Sequence, residues 1–288
     1  MLKTKKYFYS LLFLLSIKVA SGQPANSEQD QTVNILKDIR YAEKTDSSRN
    51  DVSSDRLLDL YLPANLSKSE KLPVYMFIHG GGFSGGDKTQ TAVFCNKLAS
   101  KGIAVVSINY LLYLKLNKVK GASCSANMAK GLPASGKFHP SLHHAIEIAG
   151  ADANLALKWI KDNASKYNFN LKKVTISGGS AGAMTALYTG LCKKSEGPEI
   201  AAVVNLWGGL ENNDQIINPK IPVLTFHGDK DALISVDYAS SLHQFLEKKG
   251  NKSSKLIIME GIGHAAYTYI TNNKVEEILN FLEKTYKK

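Results

Sequence analysis

The apolar residues of this chain fall into short β-branched runs separated by stretches with helical spacing. The runs cover residues 35–41, 57–62, 73–78, 103–109, 173–177, 200–206, 221–226 and 255–259, and each reads as a strand. Residues 90–100, 142–161, 183–192, 236–249 and 273–286 repeat apolar side chains every three to four positions and read as helices. A polar, turn-rich stretch joins the first two runs, which fits an antiparallel pair at a sheet edge. The third run is apolar on both faces and belongs in the interior. From there strand and helix alternate. That is the mark of an α/β fold: an open, mostly parallel sheet with helices on both faces. No internal repeat is visible, so residues 35–288 are expected to form one domain.

Two segments break the rhythm. Residues 111–140 hold apolar side chains without a clean period, together with Gly121-Ala122-Ser123-Cys124 and Gly131-Leu132-Pro133. A loop of that length is expected to be a rim or cap insertion over a site. Residues 1–22 start with Lys3, Lys5 and Lys6, continue through an apolar stretch to Ile17, and close on Ala20-Ser21-Gly22. They read as a signal peptide, too short in the apolar part for a good membrane span. Residues 23–34 read as a flexible leader. The chain is therefore expected to be secreted or periplasmic, with no stable membrane insertion after cleavage.

Charge changes this picture little. The formal charge is +11, and four of the lysines lie in the expected signal peptide. The remainder is spread over helix faces, with no basic stripe interleaved with aromatics, which argues against nucleic-acid binding. The three cysteines, Cys95, Cys124 and Cys192, carry no metal-ligand spacing. In an exported protein they suggest one disulfide and one free thiol, with Cys124–Cys192 the favoured pair.

The chemistry gathers at strand ends. Lys173-Val174-Thr175-Ile176-Ser177 runs into Gly178-Gly179-Ser180-Ala181-Gly182 and then into a helix. Strand, Gly-x-Ser-x-Gly, helix is the context of a nucleophile elbow, with Ser180 presented on a strained turn. A serine needs a base, and the base needs a carboxylate to orient it. Of the three histidines downstream, His243 lies in a helix and His227 closes an apolar strand. His264 follows the last strand in a Gly-x-Gly-His loop that lets it reach across, so it is the expected base. Asp229 and Asp231 both follow the strand ending at His227. Asp231 lies further into the loop and is the expected partner, with Asp229 shaping the turn. An oxyanion needs donors, and the N–H groups of Ala181 and of Gly81 and Gly82 in His79-Gly80-Gly81-Gly82 are in position to supply them. His79 is expected to fix that loop.

These residues, with Leu58-Asp59-Leu60-Tyr61-Leu62-Pro63, Val106-Ser107-Ile108-Asn109-Tyr110 and His227-Gly228-Asp229-Lys230-Asp231, resemble the α/β-hydrolase superfamily. The likeness is to secreted carboxylesterases, feruloyl- or acetylxylan-esterase-like members and hormone-sensitive-lipase-like esterases, and it covers residue 57 to the C-terminus. It implies the α/β-hydrolase fold, a Ser-Asp-His hydrolase without cofactor or metal, and a small-molecule or carbohydrate-linked ester as substrate. Leu111-Leu112-Tyr113-Leu114 departs from the Arg-Leu-Ala-Pro common after Asn-Tyr in the hormone-sensitive-lipase-like group, and that group's N-terminal cap helices have no counterpart here. A peptidase or lipase on the same fold, or a non-catalytic binding protein, is the alternative.

Overall fold

A computed structural model describes residues 32–43, 55–64 and 71–287. The expected signal peptide, and the leader as far as residue 31, lie outside the described residues. The strands are β1 (Val33–Arg40), β2 (Leu57–Pro63), β3 (Leu72–Ile78), β4 (Ala104–Ile108), β5 (Phe169–Gly179), β6 (Ala202–Leu206), β7 (Val223–Gly228) and β8 (Lys255–Met259). The helices are α1 (Ala92–Ala99), α2 (Tyr113–Leu116), α3 (Cys124–Met128), α4 (Pro140–Asp162), α5 (Ala164–Tyr167), α6 (Ala181–Leu187), α7 (Asp237–Lys248), α8 (Tyr267–Asn273) and α9 (Val275–Tyr286).

The strands form one sheet in the order β1-β2-β4-β3-β5-β6-β7-β8. β1 pairs antiparallel with β2, and β2 antiparallel with β4; the remaining pairs are parallel. This is the α/β-hydrolase architecture. β1 starts at Val33, so the last two residues assigned to the leader belong to the sheet.

Period-two alternation divides the core into two layers. On β3, Val74, Met76 and Ile78 face one layer, with α4 and α6, while Tyr75 and Phe77 face the other, with α1 and α9. Each large apolar side chain so buried contributes about 1.5–3 kcal/mol. No helix among the described residues is long and apolar enough to cross a membrane.

One edge is pinned by charge. The Lys88 ammonium lies 2.8 Å from Asp38 of β1 and 2.9 Å from the fully buried Asp59 of β2. The Lys88 backbone N–H donates to the Asn109 side chain.

Residues 111–140 pack into the core at several points, and Ser123, Cys124 and Ser125 among them line a cleft with Ser180. Leu114, Ala122, Cys124, Met128 and Phe138 are buried in the core. Their backbone is tied down at several points: the Leu111 N–H donates to Asp152, the Phe138 N–H to Glu211, and the Met128 carbonyl accepts from Ser235.

The expected disulfide is absent: Cys95, Cys124 and Cys192 are free and buried. Cys124 Sγ contacts Met184 Sδ at 3.8 Å, in the first turn of α6. Cys192 ends the π-helical turn that continues α6, eight residues beyond Met184. Helical rise puts about 12 Å between those positions, well beyond the Cα separation of about 7 Å that a disulfide tolerates. Burial pushes both thiols up to about 12.

Candidate active site

The elbow between β5 and α6 is made by close approach. A Cβ on Gly182 would run into the Ile78 carbonyl, and one on Gly178 into the backbone of Gly182. Only glycine lets α6 start this near β3 and β5. Ser180, between them, is forced to φ 55° and ψ −122°. Its N–H donates to the Leu206 carbonyl of β6 (2.9 Å) and its carbonyl accepts from Met184 (2.9 Å). Sheet and helix together hold a conformation that a serine avoids when free.

Three strand ends then meet. Ser180 Oγ lies 2.8 Å from His264 Nε2, and His264 Nδ1 lies 2.7 Å from Asp231 Oδ2. The carboxylate accepts only, so the imidazole proton sits on Nδ1 and the Ser180 hydroxyl donates to the bare Nε2. The Asp231 side chain is fully buried. Burial opposes its charge, but hydrogen bonds from His227, His264 and the N–H groups of Ile234 and Leu233 outweigh that and hold the carboxyl well below the ordinary range. The arrangement allows the serine hydroxyl to lose its proton to imidazole as it attacks, with the resulting imidazolium facing a fixed negative charge.

Asp229 takes the other role. Its Oδ1 accepts from the Gly261 N–H at 2.7 Å and ties the β7 turn to the turn after β8. His79 also acts locally: Nδ1 donates to the Gly80 carbonyl at 2.6 Å, and the ring stacks on Tyr110 at 4.6 Å. Gly81 (φ 112°), Gly82 (φ 62°) and Phe83 (φ 59°) all have left-handed backbones. The loop closes on the Gly81 carbonyl, which accepts from Ser84 and Gly85. It brings Gly80, Gly81 and Gly82 into a cleft of about 360 Å³ shared with Ser180, His264, Ser123, Ser125 and Leu233.

Two further residues support the site. His227 donates from Nε2 to the Ile234 carbonyl at 2.9 Å, and the same nitrogen is 3.2 Å from Asp231 Oδ2. It therefore braces the loop that carries Asp231. Its place four residues before Asp231 was the available signal. Tyr267 reaches under the elbow from α8, a helix that the apolar pattern did not reveal. No group of His, Cys, Asp and Glu able to hold a metal occurs among the described residues.

His243, on α7, hydrogen-bonds Thr225 Oγ1 at 2.8 Å, away from Ser180. Burial lowers its pKa to about 4, against about 6.5 when unfolded. The unfolded chain therefore binds this proton first, and stability falls as pH drops from about 6.5 to about 4. His243→Gln is expected to remove about 2 kcal/mol of that acid loss, allowing for the part of the ring that water reaches. Thermal melts of both proteins across this range check it.

The family model described as Phospholipase/Carboxylesterase matches residues 143–286, and one described as BD-FAE matches residues 58–118. Carboxylesterase 1C of Mus musculus is 31% identical over 172 residues, covering 59% of this chain and 27% of that protein. Esterase B1 of Culex pipiens is 29% identical over 123 residues, covering 43% and 20%. The chain thus spans about a quarter of the length of the curated relatives it matches. Among solved structures, a truncated carbohydrate esterase from gut microbiota aligns with a TM-score of 0.64 at 16% identity, covering 90% of this chain and 99% of that one. A propionate-bound esterase from Thermogutta terrifontis aligns at 0.60 and 20% identity, covering 90% and 96%.

Proposed function

Since the chain belongs to the phospholipase/carboxylesterase family, we propose that it is an exported serine esterase that hydrolyses short-chain or carbohydrate-linked carboxylic esters through an acyl-Ser180 intermediate. The observation that carries this reading is the unbroken hydrogen-bond chain from Ser180 through His264 to Asp231.

His264 Nε2 takes the hydroxyl proton as Ser180 Oγ bonds to the ester carbon. Negative charge grows on the carbonyl oxygen, which the N–H groups of Gly81, Gly82 and Ala181 receive. His264 then gives its proton to the departing alcohol oxygen as the C–O bond breaks. In the second half a water molecule loses a proton to His264 and attacks the acyl carbon. Ser180 leaves with that proton, and a carboxylic acid is released. One water is consumed and no cofactor is called for.

The cleft supports the short-chain part, because about 360 Å³ lies at the small end of ligand sites. The gut carbohydrate esterase that shares the fold supports the carbohydrate-linked part. The basic, then apolar, then small-residue order of residues 1–22 supports export.

The test is a p-nitrophenyl ester series from acetate to decanoate, with acetylated xylan and a feruloyl ester alongside. We expect the highest kcat/KM at acetate to butyrate and a fall of at least tenfold by decanoate. No hydrolysis of any member by the folded protein would overturn the reading.

A further inference from the structure

The residue between the first glycine and the serine of the elbow is itself a glycine, Gly179. The room that a side chain there would need is taken by another residue: a Cβ on Gly179 would run into the Tyr267 hydroxyl and ring. Tyr267 stands three positions after His264, at the start of α8. Its ring is held edge-on by Trp207 (5.0 Å) and Phe77 (6.4 Å). Trp207 in turn packs against His264 at 6.3 Å. The phenol therefore has little freedom to swing away.

Its hydroxyl is buried; the Gly80 backbone N–H faces its oxygen, while its own O–H finds no acceptor. Buried hydroxyls rarely stay unpaired, and one that does asks for an explanation. Its position supplies one. A single carbon placed on Gly80 would touch the Tyr267 hydroxyl at 3.0 Å and Ser180 Cβ at 3.3 Å. Tyr267 also lines the cleft with Gly80, Gly81, Gly82, Ser180 and His264. An O–H without an acceptor thus stands beside the nucleophile and the glycine loop, where the ester oxygen gathers charge.

We propose that Tyr267 is a catalytic residue whose hydroxyl donates a hydrogen bond to the oxygen of the tetrahedral intermediate, as a side-chain partner to the backbone N–H donors. This rests on the esterase reading. The proton stays on the phenol throughout, and no bond to Tyr267 forms or breaks. A donor left idle in the free protein and engaged only when the oxygen becomes tetrahedral lowers the barrier without tightening ground-state binding. Gly179 is part of the same device, because any larger residue there would displace the phenol.

The experiment is Tyr267→Phe, which keeps the ring and its packing on Trp207. Steady-state hydrolysis of p-nitrophenyl acetate is measured with affinity for phenylboronic acid, which forms a tetrahedral adduct on an active serine. We expect kcat to fall about 10- to 100-fold, KM to stay within about twofold, and boronate affinity to drop in parallel. The melting temperature should change little, since the lost O–H donates to nothing in the free protein and the Gly80 N–H that faces the oxygen keeps at most a weak partner. A kcat and boronate affinity equal to wild type would overturn the proposal, as would a fall in melting temperature with boronate affinity intact, which marks a structural hydroxyl. Wild type inactive on every ester would remove the esterase reading itself, whereas active wild type matched by Tyr267→Phe removes only this proposal.

Discussion

Ser180→Ala is expected to lower kcat by about 10⁴-fold or more and to leave the fold in place. The substitution removes only Oγ, with its 2.8 Å bond to His264. That bond is worth about 1 kcal/mol of net stability. The backbone that forces φ to 55° is set by the Leu206 and Ile78 carbonyls and is untouched. Alanine meets the same backbone strain as serine there. What disappears is the atom that bonds to the acyl carbon, and no neighbour can replace it: Cys124, the thiol in the cleft wall, is held protonated by burial. A fluorophosphonate probe should label wild type and leave the variant unlabelled. Residual hydrolysis above about one per cent of wild type, or labelling of the variant, would place the nucleophile elsewhere.

The second large effect is at Asp231. Asp231→Asn should cost about 10⁴-fold in kcat, for a reason of tautomer rather than distance. The carboxylate now accepts from His264 Nδ1 at 2.7 Å. An amide turned to offer its NH₂ group there would move the imidazole proton to Nε2, where it opposes the Ser180 hydroxyl. Oδ1 still has to accept from Leu233 and Ile234 at 2.9 Å each, which fixes the amide in that unfavourable orientation. Asp229→Asn is the control. Asn keeps an acceptor for the Gly261 N–H, so kcat should stay within about threefold of wild type. If kcat collapsed in Asp229→Asn and survived in Asp231→Asn, the assignment of the two would be reversed.

The strands were legible because the interior of a parallel sheet demands apolar β-branched runs. Val74 to Ile78 and Ala202 to Leu206 meet that demand on both faces. The meeting of Ser180, His264 and Asp231 was legible for a related reason: strand ends in such a sheet converge, and each of these residues follows one. What the sequence hid was set by contacts distant along the chain. α8 is short and only half-buried, so it leaves no clear period. Whether Cys124 reaches Cys192 depends on which turn of α6 the rim segment meets, and the spacing of cysteines carries no trace of that. His227 looked like an ordinary strand-end residue because its two acceptors, Ile234 and Asp231, lie in the turn that follows.

The bond from the Ser180 N–H to the Leu206 carbonyl also bears on how the molecule is made. During synthesis the segment carrying Ser180 leaves the ribosome before the strand that holds its backbone in the strained form. Asp231 follows later, and His264 later still, 84 residues behind the serine. A chain interrupted anywhere in that interval has a serine hydroxyl with no base and, before β6 pairs, no enforced elbow. On the proposed mechanism a nascent chain would be inert toward esters around it, and reactivity would switch on only when nearly the whole sheet has assembled.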